Sequence, residues 1–360
     1  MRILITIQHP AHVHFYRHAI AELQAEGHEV AVFARENDLA VPLLEAYGID
    51  HDVLAGGQES MLELARVQLT YEARLLARAR QFEPDVMTAI GGIAVSHVAP
   101  LVGAKSIVFI DNEGITSHRI TVPFAHTVCT PAGFRDDYGT KHVRYDGFHE
   151  LAYLHPDRFV PSPERLRSAG VDPEERYFVL RFRKWDALHD VGELGLSRAG
   201  KRNLVDALER RGEVYITSGS PLPPAFEPYR LPVAPQHVHD LLAFADCYAG
   251  DSATMATEAA VLGTPAVRVQ SFAGEGKIDM SNFVELEERY GLLFSTAEET
   301  EALRRVSALV DDPTTAERFR RRRQRLLEEK IDVTTFLVNL LSGREPLNER
   351  ITTPLEGPHR

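Results

Sequence analysis

The apolar residues follow two alternating patterns along the chain, which predict strands and helices in turn. An apolar run over Arg2–Ile7 predicts the first strand, and apolar residues at helical spacing follow it until Gly27. Repeated βα units of this length predict a parallel sheet with helices on both faces. The further strands predicted in the first half of the chain are His28–Ala34, Asp52–Leu54, Asp85–Ile90, Ser106–Asp111 and His126–Thr130.

A lapse in this periodicity between Asp146 and Arg176, where prolines cluster, predicts a domain boundary. A second βα series follows, with strands at Tyr177–Arg183, Glu213–Ser218, Cys247–Gly250 and Ala266–Val269 and closing helices to about Leu341. We therefore predict an α/β protein of two tandem Rossmann-like domains whose parallel sheets face a central cleft. The predicted parts are an N-terminal domain (1–150), a linker (151–176), a C-terminal domain (177–341) and a disordered tail (342–360).

Composition agrees with a folded protein of about two domains. The chain has 360 residues, of which 44% are hydrophobic and 26% charged. No stretch approaches the ~20 apolar residues that span a bilayer. Cys129 and Cys247 are far apart, so the sequence offers neither a disulfide framework nor a cysteine zinc site. We expect a cytoplasmic protein.

The charge balance argues against one class of partner. Fifty-two acidic residues face 40 basic ones, which gives a net charge of −12, and the basic set is 34 Arg and 6 Lys. An acidic surface repels phosphate backbones, so we expect no nucleic acid as a partner. Acidic excess with few lysines resembles proteins of salt-loving archaea, and an acidic cytosolic protein from a GC-rich genome fits equally well.

The segment Gly250–Pro265 is the most informative stretch. Small residues between a strand and a helix would let a ligand reach the N–H groups of the first helical turn, which form an anion site suited to a diphosphate. Glu258 follows Thr254 by one turn on the same face, where a carboxylate would suit the hydroxyls of a sugar. The alternative is an ordinary capped helix with a solvated glutamate.

This segment resembles the donor-binding segment of GT-B glycosyltransferases, including the bacterial enzyme that adds N-acetylglucosamine to lipid I. It also resembles the non-hydrolysing UDP-N-acetylglucosamine 2-epimerases. To about residue 341 the chain is similar to domain-of-unknown-function family 354, a largely archaeal group. The residues that carry this last resemblance are His9–Phe15, Pro123–His126, Arg181–Asp190 and Gly250–Pro265.

The resemblance implies a GT-B-like fold and a nucleoside-diphosphate-sugar substrate. It implies that Ser252, Ala253 and Thr254 hold the diphosphate and that Glu258 holds the ribose. Two departures matter. The epimerases have Asp-Ser-Gly-Gly where this chain has Asp251–Thr254, and the glycine-rich acceptor loop of the lipid I enzyme is absent from Gln8–His14.

Two histidines follow the first strand and are candidate general bases. A helix N-terminus disfavours imidazolium, so His12 and His14 would stay neutral there and able to accept a proton. A capping or loop role is the alternative. With His9 they also have metal-like spacing, but the histidine metal sites that follow a first strand need a closed barrel, which this chain does not predict.

Acidic residues that close another strand of the first domain are further catalytic candidates. Asp111 and Glu113 would face the cleft, where either could act as a base or orient one. Helix capping is the alternative function of these side chains.

Residues after the strand Tyr177–Arg183 are candidates for contacts with the donor. A guanidinium or ammonium there would offset the charge of a leaving diphosphate, and an indole could stack on a base or sugar, with core packing as its alternative. The cationic candidates are Arg181, Arg183 and Lys184, with Lys277 as a weaker one; the base or sugar candidates are Trp185, Asp186 and His189.

A basic cluster on a late helix comprises Arg318, Arg320–Arg323 and Arg325. Such a run is usually a solvated face, and the alternative is peripheral contact with anionic lipid at the inner membrane face. Together these features predict a metal-independent glycosyltransferase without a cofactor. It would use a nucleotide sugar and a glycan or lipid-linked acceptor. The alternatives are an epimerase or a non-catalytic GT-B-like protein that binds a nucleotide or glycan.

Overall fold

The computed structural model describes residues 1–56, 61–113, 117–182, 196–218, 221–270 and 279–344. By backbone contacts the chain divides into two compact units. The first unit comprises Met1–Arg158 and the segment that starts at Lys330, and the second comprises Phe159–Glu329.

A parallel sheet of seven strands forms the centre of the first unit's described part. Its order is β3-β2-β1-β4-β5-β6-β7, so the direction in which strands are added reverses between β1 and β4. The core side chains of these strands are apolar and buried. The strands are β1 (Arg2–Ile7), β2 (Glu29–Arg35), β3 (Asp52–Ala55), β4 (Val86–Ile90), β5 (Lys105–Phe109), β6 (Thr127–Pro131) and β7 (His142–Tyr145).

The helix α1 (Pro10–Ala25) begins directly after β1 and carries part of the site described below. His9 caps it, because its Nδ1 accepts a hydrogen bond from the Ala11 N–H at 3.2 Å, and Pro10 occupies a first-turn position that needs no donor. The other helices of this part are α2 (Ala40–Ala46), α3 (Met61–Phe82), α4 (Ile93–Val98), α5 (His118–Thr121) and α6 (Leu151–Leu154), with 3₁₀ turns at Ala99–Val102 and Gly139–Lys141.

The second unit contains a parallel sheet of five strands in its described residues, in the order β12-β11-β10-β8-β9. The strands are β8 (Tyr177–Phe182), β9 (Glu213–Ser218), β10 (Cys247–Gly250), β11 (Ala266–Val269) and β12 (Leu293–Thr296). The α-helices are α7 (Pro163–Ser168), α8 (Arg198–Leu208), α9 (Val238–Phe244), α10 (Ala253–Leu262), α11 (Ser281–Val284), α12 (Glu299–Asp311) and α13 (Thr315–Glu329). Shorter turns of helix are Pro224–Tyr229, Pro235–His237 and Glu285–Arg289.

The last helix, α14 (Val333–Leu341), packs on α1 and α6 of the first unit. The sequence analysis assigned the closing helices to about Leu341 to the C-terminal domain. The structure instead assigns the segment that contains α14 to the first unit, and two ion pairs hold it there. Lys330 Nζ donates to Asp146 Oδ1 at 2.6 Å, and Arg158 Nε donates to Asp332 Oδ2 at 2.8 Å. The Lys330–Asp146 pair is largely buried, so it fixes where the chain returns.

Two strands add to those expected from the apolar pattern. β7 and β12 lie at sheet edges and have only four residues each, with polar side chains among the apolar ones. Such short mixed segments lack the apolar run that identifies a buried strand. Within the described ranges, no helix has the length and apolar character needed to cross a bilayer.

Gly250 is the residue that allows β10 to lie against β8. A Cβ atom there would meet the Arg181 carbonyl oxygen at 2.3 Å and the Arg181 amide nitrogen at 3.0 Å. The Gly250→Ala variant should therefore lower the free energy of unfolding by about 2–3 kcal/mol, because backbone cannot move aside as a flexible side chain can. Urea unfolding followed by circular dichroism measures this change.

Gly56→Ala is the matched control, since the nearest atom to a Cβ there is Glu36 Oε2 at 3.7 Å. That variant should remain within about 0.5 kcal/mol of the wild type. Equal stability of the two alanine variants would contradict the close approach of β8 and β10.

Candidate functional site

The carboxyl edge of the second sheet brings the strand β8 and the start of α10 together. β8 and β10 are adjacent parallel strands, and Arg181 pairs in register with Gly250. The direction of strand addition reverses between these two strands. In open parallel sheets the crevice at such a switch point is where ligands bind.

The turn into α10 presents the first helical turn at this crevice. Ser252 is the N-cap, and its hydroxyl accepts from the Met255 N–H at 3.4 Å. The first N–H groups of a helix have no intrahelical acceptor, so those of Ala253 and Thr254 can receive an anion. Ser252, Ala253 and Thr254, which we predicted to hold the diphosphate, thus lie together at the N-terminus of α10.

Two side chains fix the backbone of this turn. Gln270 follows β11, is buried, and donates from Nε2 to the Asp251 carbonyl oxygen at 2.6 Å. Tyr248 donates from its hydroxyl to the Ser252 carbonyl oxygen at 3.3 Å. The sequence analysis did not single out Gln270, and only its position two strands from Arg181 gives it this role.

Arg181 brings a positive charge to the same edge. Its Nη1 donates to Thr217 Oγ1 at 2.8 Å, from the neighbouring strand β9. Its Nε is buried and has no hydrogen-bond partner in the described part of the chain. A donor with no acceptor at a ligand crevice is available to an anionic ligand.

Glu258 lies one turn further along α10 and is 4% exposed. His239 of α9 is 1% exposed, and its Nε2 lies 3.0 Å from Glu258 Oε1. An ionised carboxylate can only accept, so the imidazole nitrogen is the donor. The sequence analysis proposed the glutamate and missed its histidine, which lies in a different helix.

Part of the predicted donor site falls outside the described residues. Arg183, Lys184, Trp185, Asp186 and His189 lie in the range 183–195, and Lys277 lies in the range 271–278. The functions predicted for these side chains stay predictions.

A second cluster of titratable groups lies at the carboxyl edge of the first sheet. Asp111 follows β5, and its Oδ2 lies 3.2 Å from Nδ1 of His149, which is buried after β7. The ring of His149 packs against Phe15 at 4.7 Å between ring centres. His12, in the first turn of α1, is near enough to both groups for their charges to act on its pKa. His149 is a member of this cluster that sequence reasoning missed.

Two of these three side chains, His12 and Asp111, have shifted pKa values. Burial lowers the pKa of His12 to about 3, and the charge of His9 adds to this, against an opposing effect of Asp111. Burial raises the pKa of Asp111, but the charge and hydrogen bond of His149, with His12, outweigh it, so its pKa lies below the ordinary value. A neutral imidazole therefore lies beside an ionised carboxylate. At neutral pH the imidazole of His12 is uncharged and has one unprotonated ring nitrogen, as a general base requires, although so low a pKa also makes it a weak base.

The other two catalytic candidates have different surroundings. His14 is buried between aromatic rings, stacked on Tyr153 at 5.3 Å and edge-on to Tyr47 at 5.8 Å. Glu113 accepts from the backbone N–H of Arg135 at 2.7 Å and from its Nη1 at 3.1 Å. These contacts are with aromatic rings and with a loop arginine, and the catalytic function predicted for His14 and Glu113 stays a prediction.

The arginines of α13 are engaged in contacts within the second unit. Arg322 donates to the Gly291 carbonyl oxygen at 2.6 Å and Arg323 to that of Val261 at 3.1 Å, at the C-terminal end of α10. The remaining members pair with carboxylates: Arg318 with Asp312, Arg320 and Arg321 with Glu317, and Arg325 with Glu329. Arg322 and Arg323 thus attach α13 to its neighbours, whereas the ion pairs of Arg320, Arg321 and Arg325 lie within α13.

No group of three or more histidine, cysteine or acidic side chains with the geometry of a metal site occurs among the residues described. The spacing of His9, His12 and His14 therefore does not bring three ligands together. His9 caps α1, and His14 lies among tyrosines.

Comparison with known proteins bears on the predicted resemblance and on the fold. The sequence profile of the family described as "Protein of unknown function (DUF354)" matches residues 1–155, which confirms the predicted resemblance over these residues. No curated protein matches the sequence at a significant level.

Solved structures share the architecture over nearly the whole chain. A spinosyn forosaminyltransferase is 17% identical, with a TM-score of 0.61 over 95% of this chain and 99% of its own. A protein from Listeria monocytogenes assigned as a UDP-N-acetylglucosamine 2-epimerase is 12% identical, with a TM-score of 0.67 over 98% and 99%. A spinosyn rhamnosyltransferase complexed with thymidine diphosphate is 13% identical, with a TM-score of 0.59 over 94% and 100%. The chain has the GT-B fold, as predicted.

The lowered pKa of His12 predicts a pH-dependent contribution to stability. Between its ordinary pKa of 6.5 and the folded value of about 3, the unfolded chain binds a proton that the folded chain does not. Stability from this group is therefore present above about pH 6.5 and is lost as pH falls, by at most ~1.4 kcal/mol per pH unit.

Thermal melts of the wild type and of His12→Asn at pH 7.5, 6.5 and 5.5 measure this pH-dependent contribution of His12 to stability. The melting temperature of the variant should fall less steeply than that of the wild type. His126→Asn, at an exposed histidine of the same unit, is the matched control and should follow the wild type. Identical slopes for the wild type and His12→Asn would exclude a buried neutral His12.

Proposed function

We propose that this GT-B protein transfers a sugar from a nucleoside-diphosphate donor to an acceptor hydroxyl. The observation that carries the proposal is the switch point between β8 and β10, where α10 begins beside Arg181. The start of α10 supplies an anion site, Arg181 of β8 supplies a cation, and Glu258 supplies a buried carboxylate one turn further along α10. That set matches the diphosphate and ribose of a nucleotide sugar.

The diphosphate would lie at the start of α10. The N–H groups of Ala253 and Thr254 and the positive end of the helix dipole favour an anion there. Arg181, with a donor left unpaired at this edge, would offset the charge that develops on the leaving diphosphate. Cationic and amide groups of the chain itself would thus stabilise the leaving group, which is why we propose a metal-independent reaction.

The cluster of His12, Asp111 and His149 would supply the base for the acceptor. As the acceptor oxygen bonds to the anomeric carbon, the bond from that carbon to the diphosphate breaks and the nucleoside diphosphate leaves. The acceptor hydroxyl gives its proton to neutral His12, and the ionised Asp111 stabilises the resulting imidazolium. The acceptor we propose is the hydroxyl of a glycan or a lipid-linked sugar.

The solved neighbours support the donor more than the acceptor. A rhamnosyltransferase of the same fold is complexed with thymidine diphosphate. Epimerisation would need the same donor site without an acceptor, so a product assay distinguishes the two activities.

Binding of nucleoside diphosphates is the first prediction of this proposal. Uridine, guanosine, adenosine or thymidine diphosphate should raise the melting temperature of the wild type by mass action. Calorimetry should then give an affinity that Glu258→Gln weakens roughly 10- to 100-fold, because a hydrogen bond to a charged group is lost.

Glu285→Gln is the matched control, since Glu285 is a buried glutamate of the same unit that pairs with Arg289. Its affinity should equal that of the wild type. Absence of binding by every diphosphate at low and high salt would refute the donor site.

Turnover separates the catalytic alternatives. With the donor identified by binding, the wild type should release nucleoside diphosphate in the presence of an acceptor glycan, and His12→Asn should lower kcat at least ~100-fold. The readout is coupled detection of the diphosphate with mass spectrometry of the sugar products. Formation of an epimeric nucleotide sugar without acceptor would identify an epimerase. If neither product forms, the result would support a non-catalytic binding protein.

A further inference from the structure

The pair formed by Glu258 and His239 is the most deeply buried acidic–histidine contact described in the second unit. The two side chains come from successive helices, α10 and α9, which pack on each other. Their atoms are 3.0 Å apart, and each residue is at most 4% exposed. Burying a carboxylate is costly unless a donor compensates it, and the imidazole of His239 is that partner for Glu258.

We propose that His239 is a positioning residue that fixes the Glu258 carboxylate for the ribose, and so makes the site select ribonucleoside over 2′-deoxyribonucleoside diphosphates. This inference rests on the proposed function. It concerns which nucleotide the site accepts and which residue sets that choice.

Geometry gives the reason for selection. A glutamate has three side-chain torsions, and a donor at Oε1 restricts the orientations that the carboxylate can adopt. Glu258 lies one turn beyond Thr254, so a diphosphate at the start of α10 would place its pentose along the same helix face. A carboxylate held in place would accept a hydrogen bond from the 2′-hydroxyl of a ribose. A 2′-deoxy ligand has no such hydroxyl, and its binding would lack this hydrogen bond.

The surroundings of His239 show that its ring is itself held in place. The ring of Phe159 packs edge-on against it at 6.1 Å between ring centres. The adjacent residue, Asp240, contacts Arg165 at 3.3 Å and His237 at 3.6 Å through its carboxylate. His239 is thus directed at Glu258, whereas His237, two residues earlier, is directed at Asp240.

The test compares matched pairs of nucleotides that differ by one hydroxyl. Uridine, guanosine, adenosine and cytidine diphosphates and their 2′-deoxy counterparts are titrated calorimetrically into the full-length protein. The wild type should bind the ribonucleotide of the preferred base roughly 10-fold or more tightly than its 2′-deoxy form. The ratio of the two affinities is the readout, because a purely structural defect would weaken both forms equally.

Four variants test whether His239 determines the ratio of the affinities for the two nucleotide forms. His239→Ala should reduce it to below about threefold, while affinity for the 2′-deoxy form changes by less than about twofold. His239→Gln can place an amide N–H near the position of Nε2 and should restore most of the ratio, whereas the shorter His239→Asn should not. His237→Ala is the matched control and should retain the wild-type ratio. If His239→Ala fails to fold, by circular dichroism, the comparison of His239→Gln with His239→Asn decides the question.

The outcomes separate the inference from the function on which it rests. A ratio that His239→Ala and His239→Asn leave unchanged, or a wild type that binds both forms equally, would overturn the inference and leave the donor site standing. A wild type that binds no nucleoside diphosphate would overturn both. Loss of the ratio in His239→Ala or His239→Asn, with recovery in His239→Gln, would support the inference.

Discussion

The backbone of Gly250 lies directly against that of Arg181, where a Cβ atom would come within 2.3 Å of a carbonyl oxygen. Because β8 and β10 pair closely here, the first turn of α10 starts at the carboxyl edge of the sheet, one residue beyond the Gly250–Arg181 pair and its neighbour Asp251. The strand order reverses at the same place, which is where open parallel sheets bind ligands. The anion site that we propose for the second unit depends on this close approach.

Both clusters pair a carboxylate with an imidazole, and burial decides what each pair can do. Asp111 is 37% exposed at its side chain and pairs with the buried His149, which leaves the carboxylate able to act on His12. Glu258 and His239 are both buried, so their pair is fixed. A half-exposed carboxylate suits a step in which charge develops, whereas a fixed one suits recognition of hydroxyls.

The sequence identified the strands that have apolar runs and the small-residue turn before α10, but it could not separate equivalent side chains. His12 and His14 are two residues apart on α1, and the 100° turn per residue sends them to different surroundings. His12 meets the charges of Asp111 and His149, while His14 lies between Tyr47 and Tyr153. Likewise, the carboxylate of Glu113 accepts a hydrogen bond from Arg135, a residue 22 positions away.

The sequence by itself determined the α/β class, the strands with apolar runs and the small-residue turn before α10. These are local properties, set by the periodicity of apolar residues and by the conformations that glycine and serine allow. Only the tertiary structure decided that His149 meets Asp111, that His239 meets Glu258 and that α14 returns to the first unit. Each of these joins residues from separate elements through hydrogen bonds or packing, and no local pattern encodes which distant partner a buried polar group will find.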